Sequence, residues 1–165
     1  MDVASLLQDL FARVDELVPE VLEGLTEDQL ASRPAGSGNP IGWLVWHSTR
    51  VEDDHLADAF GSTQVWDEGW RERLALDLDP HATGYGADED DVAAVRTTAE
   101  LLLGYHQAVA AKVRETLAGL DADDLDRVVD ERWTPPVTLG VRLVSMASDA
   151  LQHLGQAAYL RGLPV

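Results

Sequence analysis

Apolar residues recur every three or four positions through the opening of the chain, at Leu6, Leu7, Leu10, Val14, Leu17, Val18, Val21 and Leu22. That period places side chains on one face of an α-helix, so a first helix is expected over 3–24, with Pro19 positioned to kink it. Thr26 and Gln29 form a capping box just beyond it. The stretch "SRPAGSGNP" (32–40) reads as a loop. Asn39 suits an N-cap and Pro40 a first helical position, which predicts a second helix over 40–60 that stops before Gly61. Residues 61–87 carry glycines, a proline, Trp66 and Trp70, and are too long for an ordinary bundle turn. They read as a crossover or a cover, with the tryptophans as packing in the core or a lid. A third helix starts at the acids 88–91 and runs to 117, "DERWTPPVT" (130–138) breaks the chain, and a fourth helix occupies 138–161. No strand alternation, repeat or linker is visible. The pattern predicts one all-α domain over 1–165, a four-helix bundle with a long crossover between helices two and three.

With 165 residues, 45% of them apolar, the chain can bury a core of its own. No apolar run reaches the roughly 18 residues of a membrane helix, and the start "MDVASLLQDLFARVDEL" has no basic leader. Cysteine is absent, which excludes disulfides, zinc–thiolate clusters and a protein thiol nucleophile, and the expected location is the cytoplasm. Thirty acids against twelve bases give a net charge of −18, which disfavours nucleic acid and anionic membrane surfaces as partners. The clusters "EDD" (52–54), "DEDD" (88–91) and "DADD" (121–124) read as solvated faces and helix starts.

Candidate chemistry begins on the fourth helix. Asp149 and His153 lie one turn apart on one face, flanked by Val141, Leu143, Val144, Met146, Leu151 and Leu154. The pair is either an ordinary hydrogen-bonded couple or half of a metal site. His47, on the second helix, shares its apolar face with Ile41, Leu44 and Val51 and points into the same bundle. Buried polar groups need partners, and one ion would satisfy all three. Two histidines and a carboxylate leave open coordination positions, as catalytic zinc and non-haem iron sites do; zinc, nickel and iron all suit the set. Gln152 and Gln156 flank His153 as residues that orient an imidazole. His55 stands two turns beyond His47, half-exposed beside Asp53 and Asp54 or at the site's edge. Arg50 is one turn past His47, where it meets an anionic ligand or, more simply, a surface acid. His106 is expected on the surface, His81 lies in a loop, and Arg161 suits a helix C-terminus. "TGYGADEDD" lacks the lysine of a phosphate loop, and neither G-x-S-x-G nor H-E-x-x-H occurs.

"IGWLVWHSTRVEDDHL", followed far downstream by "TLGVRLVSMASDALQHLGQAAYLRG" and with "ATGYG" before helix three, resembles the DinB-like superfamily of metal-binding four-helix bundles. Within it the chain is most similar to the actinobacterial mycothiol transferase group. The resemblance covers nearly the whole chain and implies a divalent ion held by His47, Asp149 and His153. Many relatives carry histidine or glutamate where Asp149 stands, so the shorter side chain bears on affinity. The resemblance further implies a metal-dependent S-transferase that joins a low-molecular-weight thiol, mycothiol or a similar one, to an electrophilic small molecule. A homodimer is compatible with such a bundle. A non-catalytic metal- or ligand-binding bundle of stress-associated or sensor type, and a metal-dependent hydrolase, would use the same three residues.

Overall fold

In the computed structural model, which describes residues 1–163, the helices in chain order are α1 (Val3–Leu22), α2 (Glu27–Leu30), α3 (Ile41–Phe60), α4 (Trp70–Leu74), α5 (Glu89–Ala94) and α6 (Ala99–Leu117). A two-stranded antiparallel hairpin, β1 (Val128–Asp130) and β2 (Val137–Thr138), precedes α7 (Leu139–Arg161). The last two residues of the expected 1–165 domain lie outside the described residues.

Side-chain caps define most helix starts. Asp2 accepts from the Ser5 amide at 2.8 Å, Thr98 from Leu101 and Thr138 from Val141, each satisfying an amide that has no partner within its helix. The capping box of Thr26 and Gln29 forms. At α3 the expected N-cap Asn39 is displaced: Pro40 occupies the cap position with no side-chain bond, and the helix begins at Ile41. Gly61 ends α3 at φ 61°, a left-handed conformation open to glycine. The first helix stops at Leu22 rather than 24. The expected third helix is two helices, because the chain leaves helical geometry at Val95 and Thr98 then caps a new start. The hairpin departs from the all-helical expectation, its strands being too short to show an alternation.

The long helices α1, α3, α6 and α7 form the bundle, with α3 against α7 and α6, and α1 against α6 and α7. His47 meets Asp149 while Asp58, further along α3, nears Arg142, so α3 and α7 are antiparallel. Arg161 ends α7 beside the Val21 carbonyl at the end of α1, and that end of α1 lies beside Ala99 and Glu100 at the start of α6. Helices α3 and α6 therefore run in the same direction. A 20-residue helix is about 30 Å long, so the chain must travel back along the bundle before α6 can start. The crossover predicted over 61–87 answers that requirement. The core centres on Phe11, Trp46, Tyr105, Leu143, Met146 and Leu154, all buried.

The crossover also covers the outward face of α3, and this overturns the reading of "EDD" as a solvated face. Asp53 is 3% exposed beneath it, and Glu52, 1% exposed, faces the bundle interior toward Asp15 and Asp149. Asp53 accepts from the amides of Val65 and Trp66 at 2.8 and 2.7 Å and from the Tyr105 hydroxyl at 2.7 Å, which bolts the crossover to α3 and α6. The acids at 88–91 do form a helix start, with Asp88 capping α5. Among the described residues no helix is long and apolar enough to cross a membrane.

Candidate metal centre

Helices α3 and α7 bring His47, Asp149 and His153 together, with one candidate ligand atom from each lying within 4.8 Å of the others. His47 Nε2 is 3.9 Å from Asp149 Oδ2, and His153 Nε2 is 3.5 Å from Asp149 Oδ1. The two imidazoles meet edge to face with centroids 4.8 Å apart. Neither helix could do this alone. Asp149 and His153 share a face of α7 by their four-residue spacing, and His47 is presented by the face of α3 that packs on α7.

Each imidazole is held at its far nitrogen. A carbonyl oxygen can only accept, so His47 Nδ1–H donates to the backbone oxygen of Thr83, and His153 Nδ1–H donates to Gln156 Oε1 at 3.1 Å. In the neutral rings both Nε2 lone pairs then face Asp149, the arrangement that metal-binding histidines adopt when a neighbouring acceptor fixes the tautomer. Trp43 stacks on His47 with centroids 4.6 Å apart and planes 15° apart, which stops the ring from swinging.

The electrostatics divide the two histidines. Burial lowers the pKa of His47 against the opposing pull of the Thr83 carbonyl and Asp149, so its ring is neutral at pH 7. When His153 is protonated its Nε2–H donates to Asp149, which raises its pKa, and a metal ion entering there would displace that proton. Burial pushes Asp149 upward, but the hydrogen bond and charge of His153, with the charges of His47 and His55, bring it below its ordinary value. Asp149 Oδ2 is nevertheless buried without a hydrogen-bond partner. An unpaired buried carboxylate oxygen is costly, and a cation among the three side chains would satisfy it. Two imidazole nitrogens and one carboxylate oxygen fit a divalent ion of the zinc, nickel or iron type and leave coordination positions free.

His47 and Asp149 line a pocket of about 660 Å³. Val51, Asp54 and His55 of α3 form one wall and Val141, Arg142 and Ser145 of α7 another. The hairpin adds Asp130, Arg132 and Trp133, and the crossover adds Thr83 and Tyr85. Asp130 holds Arg132 in a bidentate pair at 2.8 Å and Arg142 at 3.0 Å, so the loop's position is tied to α7. Trp133 and Tyr85 are exposed at the rim.

The remaining candidates fall elsewhere. His55 is half-buried on the pocket wall and donates Nδ1–H to the Val51 carbonyl. Gln152 is exposed and bonds to Ser148 rather than to His153. Arg50 makes no surface salt bridge: its side chain is wholly buried, bonded to Ala82 and Gln64 and paired with Asp53. His106 is 2% exposed, against the expected surface position, with Asp15 3.4 Å from its Nε2. Val141 and Val144, expected to flank a buried face, are more than half exposed. Trp66 and Trp70 pack on Tyr105, away from the three ligands.

Sequence reading missed Thr83 and Gly84. Gly84 has φ 91°, and a Cβ there would lie 2.6 Å from His47 Nδ1, so the loop reaches the imidazole only with glycine at this position. The glycines of "ATGYG" were the available signal.

The family model described as mycothiol-S-transferase matches residues 6–164. A crystal structure of a conserved protein from Enterococcus faecalis superposes with a TM-score of 0.85 at 32% identity, covering 98% of this chain and 96% of that one. No curated protein matches.

Proposed function

Because the chain belongs to the mycothiol-S-transferase family, we propose that it transfers the sulfur of a small thiol, mycothiol or a close analogue, to an electrophilic small molecule, with a divalent ion held by His47, Asp149 and His153. The observation that carries this reading is the convergence of two fixed histidine Nε2 atoms and the unpartnered Asp149 Oδ2 beside a pocket of about 660 Å³. A divalent ion bound there would supply Lewis acidity that favours the thiolate over the thiol near neutral pH. Such chemistry suits a protein without cysteine, since the nucleophilic sulfur arrives with the substrate.

The protein's own groups do the rest. His47 and Asp149 fix where the sulfur enters, beside the wall formed by Val51 and Val141. His55 is kept neutral by burial and by the charge of Arg142, and its Nδ1–H is engaged by the Val51 carbonyl. Its Nε2 is thereby a base on the pocket wall that can accept the thiol proton. Trp133 and Tyr85 at the rim give the body of the thiol or the acceptor apolar surface to rest on.

Metal analysis of untagged protein, beside His47→Ala and His153→Ala, tests the ligand set. Near-stoichiometric metal in the parent and its loss in both variants is the expected result. Consumption of mycothiol with 1-chloro-2,4-dinitrobenzene then tests the reaction, and thioether formation that depends on metal is expected. Metal without turnover across a panel of electrophiles would make the chain a binding bundle, and product formed without thiol would make it a hydrolase.

A further inference from the structure

We propose that Arg50 is a positioning residue for His47, acting through the Ala82–Thr83–Gly84 strap. The inference rests on His47 being a ligand of the proposed metal centre. Arg50 follows His47 by three residues on α3, so both side chains reach the same side of the helix and take consecutive carbonyls of one strap. Arg50 Nε donates to the Ala82 oxygen at 3.1 Å, and His47 Nδ1 donates to the Thr83 oxygen. The strap has no regular secondary structure of its own.

Arg50 is itself held through Nε and Nη1, while its Nη2 is buried without a hydrogen-bond partner. Its Nη1 donates to Gln64 at 2.9 Å and to the Tyr105 hydroxyl at 3.3 Å, Asp53 lies 3.6 Å away, and the guanidinium sits over the Trp66 ring at 4.8 Å. A planar guanidinium with several donors can fix a carbonyl while keeping these other contacts; a lysine ammonium on a flexible stem cannot hold the same set. Arg50 lies off the pocket wall, so its part is to place the acceptor that selects the His47 tautomer. Trp66 holds the Pro80 carbonyl and Ala87 the Gly84 carbonyl, but no other hydrogen bond among the described residues reaches the Ala82 carbonyl, so losing Arg50 removes the side-chain anchor next to the Thr83 oxygen.

The test reads the tautomer directly. In metal-free protein at pH 8, the imidazole ¹⁵N spectrum should show His47 as the Nδ1–H tautomer, and Arg50→Met should turn it into a mixture with Nε2–H. Cobalt affinity should fall at least about tenfold, as expected when the group orienting a ligand is lost, with an altered visible spectrum. Leu102→Ala, a core substitution on α6, should lower the melting temperature while leaving the tautomer and cobalt affinity as in the parent. If Arg50→Met does not fold, the double variant Arg50→Met/Asp53→Asn removes the carboxylate left without its partner and serves in its place. A parent-like His47 tautomer in the arginine variant would overturn the proposal, as would a mixed tautomer in the parent. A parent that binds no cobalt would sink the metal reading alone, because the ¹⁵N measurement still decides whether Arg50 places His47.

Discussion

Replacing Gly84 by alanine tests how tightly the strap is fitted to the metal centre. The added Cβ would sit 2.6 Å from His47 Nδ1, 3.2 Å from its Cγ and 3.1 Å from Trp43 Cζ2. The imidazole cannot retreat, because Trp43 is stacked on it and both residues stand on the buried α3. The strap must move instead, and the hydrogen bond from Nδ1 to Thr83 opens. Two costs add: about 1–2 kcal/mol for a side chain in the left-handed region, and roughly 1–3 kcal/mol for a buried donor losing its acceptor. Gly86 supplies the control, since it too has positive φ, 74°, but nothing lies within 4 Å of a Cβ built there. Gly86→Ala carries the backbone cost alone. The expected outcome is therefore a larger drop in melting temperature for Gly84→Ala, and a zinc affinity about 10- to 100-fold weaker than in Gly86→Ala. Competition against a chromophoric chelator at fixed pH measures the second quantity. If the two variants bind zinc with closely similar affinity, the strap does not set the geometry of His47, and its contact with Thr83 is incidental to metal binding.

Glu52 is expected to make stability fall as pH rises. Burial, aided by the charges of Asp15, Asp149 and Asp53, raises its pKa to about 8. The unfolded chain releases the proton near 4.5 and the folded one near 8, so the contribution is complete below the lower value and declines up to the higher one, by an amount on the order of a few kcal/mol. Glu52→Gln should flatten the fall in melting temperature across that interval, and an unchanged slope would refute the assignment. Asp53→Asn should destabilise the fold by roughly 3–5 kcal/mol, because it leaves Arg50 without its buried counter-charge and replaces an acceptor of three hydrogen bonds. Urea denaturation measures this, and a loss below about 1 kcal/mol, the worth of an exposed ion pair, would show that Asp53 does not hold the crossover.

The bundle itself was legible from a single stripe per helix. Apolar positions at the helical period locate α1, α3 and α7 to within a residue or two, except that α1 stops short at Leu22, because burying such a stripe is what makes each segment helical in the first place. The four-residue spacing of Asp149 and His153 is a geometric statement about α7 that no other packing could change. The break at Val95–Thr98 is not legible in the sequence because the acids at 88–91 start α5 convincingly, while the competing signal, Thr98 as a cap, looks like any threonine within a helix. Nor is the hairpin, because its five strand residues show no period at all.

The misplaced polar residues have other causes. A surface position is the natural expectation for Arg50, Glu52 and Asp53, since charged residues usually take one, and on an isolated α3 it would hold. Arg50 and Asp53 are buried because residues 61–84 fold back over that helix, and a segment without periodicity gives no indication of which face it will cover; Glu52 instead faces the bundle interior, toward Asp15 and Asp149. The same return path delivers the Thr83 oxygen to His47 and the Ala82 oxygen to Arg50. Candidate ligands could thus be read from the helices that carry them, whereas the groups that orient them could not. The consequence is physical: two parallel helices force a long return across the bundle, and the loop that makes that journey supplies the backbone acceptor on which the tautomer of His47 depends.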